Sequence, residues 1–517
     1  MEFDFSLLSV VSFFVFVLVL LKLGAHPKTK KPKLNRPPGP RKLPFIGNLH
    51  LFAASRHHPL QQTLRDLAKK YGPLMHLRLG EIDTIVVSSP ETAKLIMRTH
   101  DITFASRPPL LLADDSSFGS KSIALAPYGE YWRQMRKICS LELLTTKRVL
   151  SFRTIREEEV LDLCKWIALH QGQKINLTER ISSVNNDTMV RASVGKKIAE
   201  KVKFIATISE AVEFLSIFRI ADAYPSIKFL PVISGVRRKI DGLQRQLDKM
   251  MASIVEERIR DNINNNNISN NVGENKQEDL LDVLLNIQSD ESLEVPLTCN
   301  NIKFILAEMF SAGTTTSTTI VDWAMAEMLK NPEILKKAQD EVRRVFDGKG
   351  GTGRVDESRF DELKYLRIVI KETLRMHPAA PLLVPRASRE RCEINGYEIP
   401  AKTWVLFNAW AIGRDPEYWE DAERFKPERF LEKQEVDFKG NNFEYIPFGA
   451  GRRICPGLLF GVANVEIQLA MLLYHFDWVL ADGMKAVEMD MTYICGVEGK
   501  RKHTLSVIPV VKRPLSV

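Results

Sequence analysis

The spacing of hydrophobic and polar positions changes along the 517-residue chain. Near the N-terminal side, LMHLRLG and TIVVSSP predict two short β-strands, and the following Ser89-Pro90-Glu91 predicts a capped helix start. From about residue 140 to about residue 380 the period is mainly helical, as in EVLDLCKWIAL and EDLLDVLLNIQ. Strand-like patterns return at CEINGYEIP and TWVLFNAWAI. The pattern predicts a mainly α fold with a minor β part.

The strongest single helix prediction runs from Thr298 to Lys330. Thr298 is a plausible N-cap, no proline interrupts the segment, and Asn331-Pro332 ends it, so the helix should be about 50 Å long. In its middle, Ala312-Gly313 removes bulk so that a flat ligand could approach. The hydroxyls of residues 314–316 are expected to bond to preceding carbonyls and to open the helix there.

The first residues of the chain predict a membrane anchor. FSLLSVVSFFVFVLVLL, residues 5–21, is apolar apart from serines and is followed by a cationic cluster, a pattern typical of an uncleaved span with a cytosolic body. A helix of the buried core is the alternative. We divide the chain into an anchor (1–23), a basic and proline-rich hinge (24–48) and one catalytic domain (49–517). The Asn-rich run at 261–277 is predicted to be a surface loop within that domain.

Charge and cysteine content exclude several classes of protein. The net charge is +9, but eight positive residues with no acid among them lie between Lys22 and Lys42, which argues against nucleic-acid binding. The six cysteines form no CxxC pair, which argues against a disulfide scaffold or a zinc ribbon and favours a reducing compartment.

One cysteine lies in the glycine- and arginine-rich stretch PFGAGRRICPG, residues 447–457. A thiolate suits a soft metal such as iron, and the glycines let backbone amides approach the sulfur. Arg453 adds positive charge suited to an anionic cofactor edge. For a lone cysteine, a buried structural role is the ordinary alternative, but the full spacing F-x-x-G-x-R-x-C-x-G favours a cofactor loop.

This loop resembles the haem-binding signature of cytochrome P-450 monooxygenases, and PPGPRKLPFIGN resembles the hinge of their membrane-bound plant members. The resemblance covers essentially the whole chain. It implies the cytochrome P-450 fold with a single N-terminal transmembrane helix, heme b (iron protoporphyrin IX) as cofactor, and Cys455 as the ligand of the iron. Phe448, Gly451 and Gly457 match the other positions of the signature.

The resemblance also implies roles for residues elsewhere in the chain. On the long helix, Ala312, Gly313 and Thr316 match the family pattern, with Thr316 placed for proton delivery, whereas Thr315 stands where relatives usually carry an acid. Trp132 and Arg136, at i and i+4, would bind haem propionates with Arg386 and Arg453. A structural triad would form from Glu372, Arg375 and Arg429, although E-x-x-R alone is a weak motif.

Substrate-facing segments are named by the same resemblance and include the loop from Arg107 to Pro127. The individual positions are largely aliphatic or small: Phe304, Glu308, Ala312, Ala380, Leu382, Leu383, Ile494 and Val497. They favour a small lipophilic guest, and the closest-looking plant groups predict hydroxylation of a terpenoid. No GxGxxG follows a strand, so electrons should come from a partner. The resemblance implies that this partner is an NADPH-dependent reductase at the endoplasmic reticulum membrane and that O2 is the co-substrate.

Three alternatives remain open at this stage. The substrate could be an alkaloid or a phenolic. The protein could be a haem-thiolate isomerase or dehydratase that works without reductase, in which case turnover would not depend on NADPH. It could also bind or sense a ligand through haem without turnover.

Overall fold

The computed structural model describes residues 35–54, 58–111, 121–198, 201–216, 220–268, 278–289, 293–348, 354–494 and 499–515. Helices dominate these ranges. In chain order they are α1 Leu49–Ala54, α2 Leu60–Tyr71, α3 Pro90–Lys94, α4 Glu130–Ile138, α5 Thr146–Ser151, α6 Arg153–Leu169, α7 Leu177–Val194, α8 Lys201–Ser216, α9 Ile220–Ala223, α10 Leu230–Ile233, α11 Val236–Ile268, α12 Leu280–Gln288, α13 Cys299–Lys330, α14 Pro332–Asp347, α15 Lys364–Met376, α16 Ala409–Ile412, α17 Arg429–Glu432 and α18 Leu458–His475.

The strands form small sheets beside the helices. They are β1 Leu74–Leu79, β2 Ile82–Val87, β3 Ile175–Asn176, β4 Arg386–Ala387, β5 Cys392–Ile394, β6 Tyr397–Ile399, β7 Trp404–Phe407, β8 Phe476–Leu480 and β9 Ser506–Val511. One sheet has the order β1-β2-β7-β4, another β3-β9-β8, and β5 pairs with β6. In the first sheet β1 and β2 are antiparallel, with Leu77 opposite Thr84, while β2 and β7 are parallel. The mainly α class with a minor β part is confirmed.

Helix α13 crosses the centre of the molecule. The Thr298 side chain accepts a hydrogen bond from the Asn301 backbone amide, and the Asn301 side chain accepts one from the Thr298 backbone amide. This capping box starts the helix at the predicted residue. The helix packs against α7, α18 and α15, and its second half is almost continuously buried. The predicted opening at residues 314–316 does not occur. The Thr315 and Thr316 hydroxyls donate to the carbonyls four residues back, and the helix continues unbroken.

The Asn-rich run differs from its prediction in its first half. Residues 261–268 continue helix α11 and are not a loop, while 269–277 lie outside the described residues. Extending an established helix needs no new nucleation, so a few residues of modest helix propensity can follow a stable start. The part of α11 before this run is anchored near residue 258, where Arg258 donates to Asp279 at 2.7 Å and also to Asp282.

The anchor, residues 1–23, and the first part of the hinge lie outside the described residues. The rest of the hinge packs along β1: the His76 amide donates to Pro38 O at 2.8 Å, and the Asn48 amide donates to Arg78 O. Within the described ranges, the helix that is long and apolar enough to cross a membrane is α18, which is mostly buried in the core.

A buried histidine joins α13 to the end of α15. His377 stacks on Trp323 with ring centroids 3.8 Å apart, and its ring nitrogens bond to Glu327 at 2.7 Å and to the Tyr493 hydroxyl at 2.6 Å. Burial lowers the pKa of His377 to about 4. Arg414 and Arg375 contribute to this lowering, and Glu327 opposes it.

Protonation of His377 should therefore make stability depend on pH. Because the folded pKa lies below the ordinary value, the unfolded chain binds more protons between pH 6.5 and 4, and stability is lost as pH falls through this window. The loss should approach about 3 kcal/mol. His377→Gln should flatten the dependence of the unfolding free energy on pH. Equal slopes for both proteins across that range would contradict the assignment.

Candidate active site

A cavity of about 320 Å³ lies at the centre of the protein, beside α13. Ala312 and Thr316 face it from α13, while other walls come from α15, α18, the 379–386 segment and the 447–457 loop. Most of the lining is apolar. The polar exceptions are a thiol, several hydroxyl and guanidinium groups and one carboxylate, and these decide what the cavity can hold.

The thiol belongs to Cys455, whose loop folds tightly before α18. The Cys455 amide donates to Phe448 O at 3.0 Å, and the Gly457 amide is bonded to the sulfur. Gly449 and Gly451 have φ of 73° and 66°, a region that glycine adopts without penalty. Burial raises the pKa of the Cys455 thiol, while the Gly457 amide and the Arg136 guanidinium act in the opposite direction. The loop therefore presents one sulfur to the cavity, where the Gly457 amide and Arg136 offset part of the effect of burial on its ionised form.

The middle of α13 presents small side chains and one hydroxyl. Ala312, Gly313 and Thr316 line the cavity, and the Thr316 hydroxyl donates to Ala312 O at 2.7 Å. The space left by the missing side chain of Gly313 is taken by Met189, since a Cβ there would lie 2.0 Å from Met189 Cε. The small side chain of Ala312 therefore leaves space for a flat ligand, whereas the space beside Gly313 is filled by Met189. Thr315 donates to Ser311 O and is not among the described residues that line the cavity.

One edge of the cavity is cationic. Arg386 donates to Asp101 and to Ala450 O, and Arg453 donates to Ala105 O, Ile123 O and Ala126 O. Arg453 also stacks over Trp132 at 4.1 Å, and the Trp132 indole donates to Ile123 O. The Arg136 guanidinium lines the cavity without a hydrogen bond or an ion pair to any described residue.

Sequence reasoning placed Arg107 only at the start of a substrate loop. In the structure its guanidinium is buried and donates to Ala124 O, Val384 O and Pro385 O beside Arg453 and Arg386. Nothing in the local sequence RPPLL marks an arginine of this kind, because its partners are distant backbone carbonyls. Arg452, in contrast, is exposed and pairs with Asp101.

These buried cations are poorly neutralised by the protein itself. Burial, together with the neighbouring Arg386 and Arg136, lowers the pKa of Arg453 to about 9. Burial lowers the pKa of Arg386 to about 10, against the opposing effect of Asp101. Burial also lowers the pKa of Arg107, as do Arg453 and Arg386. A ligand that brings anionic groups to this edge would relieve the crowding. Together with a soft thiol donor and small residues on α13, the site fits haem b, which carries two propionates and an iron that thiolate binds.

The predicted substrate-facing residues are only partly brought together. Glu308, Ala312, Ala380 and Leu383 line the cavity. The others lie elsewhere: Leu382 packs in the cluster beneath β1, Ile494 is exposed, and Phe304 is not among the described lining residues. Leu382 and Leu383 are neighbours that point to opposite sides of their segment. Val497 lies outside the described residues, as do residues 112–120 of the Arg107–Pro127 loop.

Glu372, Arg375 and Arg429 form a buried network away from the cavity. Glu372 accepts from Arg375 Nε at 2.7 Å and from Arg429 Nε at 3.1 Å, and it also accepts from the Lys426 amide. The two guanidinium groups donate onward to backbone carbonyls between residues 413 and 424. The network thereby fastens α15 to the segment that precedes the Cys455 loop.

Comparison with known proteins gives the same family along the chain. The cytochrome P450 family model matches residues 37–502. A solved structure titled as a zebra fish cytochrome P450 with abiraterone superposes with a TM-score of 0.72 at 22% identity, covering 88% of this chain and 100% of that one. At that identity the superposition establishes the fold.

Curated relatives are similar over nearly their whole lengths. Tabersonine 6,7-epoxidase isoform 1 of Catharanthus roseus is 52% identical over 97% of this chain and 97% of its own. Premnaspirodiene oxygenase of Hyoscyamus muticus is 49% identical over 99% of each chain, and salviol synthase of Salvia pomifera is 48% identical over 99% and 98%. This chain belongs to the cytochrome P450 family and is an oxygen-incorporating oxidoreductase with haem b as its cofactor.

Proposed function

We propose that this enzyme inserts one oxygen atom from O2 into a small lipophilic specialised metabolite, and that it hydroxylates a terpenoid with electrons from an NADPH-dependent reductase. The observation that carries the proposal is an apolar cavity that contains both the Cys455 sulfur and the Thr316 hydroxyl. Relatives include oxygenases of terpenoids, which supports this substrate class; an epoxidase named for tabersonine supports an alkaloid as the second candidate.

Each polar group at the cavity has a place in this proposal. Cys455 holds the haem iron, and the cationic edge holds the propionates through Arg107, Arg136, Arg386 and Arg453, with the Trp132 ring stacked against Arg453. When bound, the haem supplies the oxygen chemistry. The chain itself orients the substrate, excludes bulk water and moves protons at the Thr316 hydroxyl. Gly457 leaves room for the macrocycle beside the loop, because no atom outside its chain neighbours lies within 4 Å of the position that a Cβ would take there.

The remaining wall of the cavity explains the preference for a lipophilic guest. It is almost entirely hydrocarbon, with Ile123, Leu144, Met309, Ala379, Ala380, Leu383 and Val384 among its members. A guest with many polar groups would lose hydrogen bonds to water there without replacement. A terpenoid skeleton has no such hydrogen bonds to lose.

The test is turnover by the purified full-length protein with reductase and NADPH on a panel of terpenes, alkaloids and phenolics. Hydroxylated terpene that forms only when NADPH is present is the expected result. Product confined to an alkaloid or a phenolic would overturn the substrate class. Turnover without NADPH would identify an isomerase or dehydratase, and haem that binds ligands with no product from any class would identify a sensing protein.

Thr316→Ala should separate electron consumption from product formation. Loss of the hydroxyl removes the group that holds a proton at the cavity, so NADPH is still consumed while peroxide rises and product per NADPH falls about tenfold. Thr319→Ala is the matched control, since its hydroxyl makes the same type of bond, to Thr315 O at 2.9 Å, and does not line the cavity among the described residues. Full coupling in Thr316→Ala would defeat the role.

The reductase is expected to approach cations on and after α4. Lys137 and Lys147 are exposed, the Arg133 side chain is 57% exposed, and Arg148 pairs with Glu278 at 3.4 Å. Exchange of these four residues for glutamine should slow the first electron transfer several-fold and weaken its dependence on salt, because encounter is electrostatically steered. Lys402→Gln with Lys485→Gln, both exposed on other elements, is the control. Unchanged reduction kinetics in the fourfold variant would refute this docking face.

Location at the endoplasmic reticulum membrane is supported by an apolar surface patch as well as by the predicted anchor. Two segments meet where the Glu81 amide donates to Ala223 O and the Tyr224 hydroxyl donates to Phe45 O. Around this junction several large hydrophobic side chains are exposed: Leu43, Ile46, Phe229, Val232 and Ile233. A patch of this kind near the start of the body is suited to a membrane surface.

A further inference from the structure

Glu308 is the carboxylate of the cavity, and it is bonded to a separate segment of chain. The residue lies on α13 one turn before Ala312, and its side chain opens onto the cavity while its carboxylate lies deep inside the protein. Oε1 accepts from the Ser122 hydroxyl and from the Ala124 amide at 2.9 Å, and Oε2 accepts from the Ile123 amide at 2.7 Å. We call residues 122–126 the strap.

The strap is held from its other side by the cationic edge. Ile123 O accepts from the Trp132 indole at 2.9 Å and from Arg453 at 3.1 Å. Ala124 O accepts from Arg107 at 2.7 Å, and Ala126 O accepts from Arg453 at 2.6 Å. The amides of Ile123 and Ala124 thus point to Glu308, while the carbonyls of Ile123, Ala124 and Ala126 receive the donors that border the cavity.

We propose that Glu308 is a positioning residue that acts through the strap to fix Arg107, Trp132 and Arg453 at the propionate edge of the haem, and that it is not a contact for the substrate. The proposal rests on the assignment of Arg107 and Arg453 to the propionates. It replaces the expectation, made from the sequence, that Glu308 faces the substrate.

The use of the carboxylate oxygens argues against a substrate contact. A carboxylate offers about four lone-pair sites, and three of them are occupied by the strap. A guest that donated a hydrogen bond to Glu308 would compete with the strap donors for a charged acceptor, and bonds to such an acceptor are stronger than bonds between neutral groups. Burial raises the pKa of Glu308, while the Ser122 hydroxyl, the two strap amides and Arg453 act in the opposite direction.

Substitutions of Glu308 should act on cofactor retention. Glu308→Ala removes all three bonds and frees the strap. Glu308→Gln keeps one acceptor oxygen but turns an NH2 group towards a backbone amide, which leaves a donor facing a donor. Both variants should lose haem to a large excess of apomyoglobin faster than the wild type, by about tenfold for alanine, which corresponds to about 1.4 kcal/mol. The affinity of the haem-loaded fraction for an apolar substrate should stay within about twofold.

The matched control is Asp322→Asn, which changes another buried carboxylate on the same helix. Asp322 accepts from Thr178 and faces Arg501 at 3.6 Å, away from the cavity. This variant should lower the unfolding temperature without changing the rate of haem loss. Ser122→Ala removes the hydroxyl that donates to Glu308 and accepts from the Leu125 amide, but it leaves both amide bonds to Glu308 in place. It should raise the rate about twofold, so it tests the proposal even where Glu308→Ala does not fold.

The outcomes divide clearly. Haem loss at the wild-type rate in Glu308→Gln and Ser122→Ala overturns the proposal, and so does a large drop in substrate affinity with normal haem retention. A wild-type protein that shows no thiolate-ligated haem at all would instead refute the proposed function on which the inference rests. The two failures are therefore distinguishable in one set of preparations.

Discussion

Glu372→Ala is expected to prevent accumulation of folded, haem-containing protein. The change leaves Arg375 and Arg429 buried without their carboxylate, and it also removes the acceptor of the Lys426 amide. Removal of one member of a buried ion pair costs about 3–5 kcal/mol. Because a whole domain is stable by only about 5–15 kcal/mol, this single loss consumes much of the margin.

The measurement is the yield of haem-loaded protein and its unfolding temperature. Glu362→Ala is the matched control, since Glu362 is an exposed partner of Arg359 on a nearby turn and its loss should leave both quantities unchanged. Glu372→Gln should give a yield and an unfolding temperature between those of Glu372→Ala and Glu362→Ala, because an amide oxygen can still accept from one guanidinium. Wild-type yield and unfolding temperature in Glu372→Ala would show that the triad does not hold the fold.

Gly451→Ala is expected to disrupt the Cys455 loop. At φ of 66° an alanine is strained, and its Cβ would lie 2.2 Å from Met97 O and 2.8 Å from Asp101 Oδ1. The first of these atoms belongs to the backbone and cannot turn aside. The loop must therefore move as a whole, which displaces Cys455 and Arg453, and we expect most of the reduced protein to lose its thiolate-ligated spectrum.

Gly449→Ala isolates the contribution of the clash. Gly449 has φ of 73°, so an alanine pays a similar conformational cost of about 1–2 kcal/mol. The nearest atom outside its chain neighbours, however, is Leu383 Cδ1 at 3.7 Å, an ordinary contact. Gly449→Ala should therefore be destabilised yet retain its haem. Equal haem loss in the two variants would mean that backbone conformation alone, and not the contact with Met97, governs the loop.

Features set by local chemistry could be predicted from the sequence. The N-cap at Thr298, the end of α13 before Pro332 and the two strands β1 and β2 all depend on near neighbours, and the structure places them close to their predicted positions. The Ser89 cap is of the same kind, with its side chain accepting from the Thr92 amide. Spacing within one short loop likewise identified Cys455 as the sulfur that faces the cavity.

Features set by distant contacts could not be read in this way. The partners of Arg107 are carbonyls at 124, 384 and 385, and those of Glu308 lie near residue 123, so neither role has a local pattern. The same holds for Gly313, whose open side is filled by Met189 from α7. The acceptors of these arginines could have been predicted in kind. Several arginines near one anionic cofactor imply a buried carboxylate or backbone carbonyls that order them.

The most direct test of the account is the carbon monoxide spectrum of the reduced, purified full-length protein beside Cys455→Ser. We predict that the wild type shows the red-shifted Soret band diagnostic of thiolate-ligated haem and that Cys455→Ser lacks it. Cys299→Ser, which alters an exposed thiol on α13, should keep it. Haem-loaded wild-type protein without that band, or a Cys455→Ser variant that retains it, would contradict ligation of the iron by Cys455.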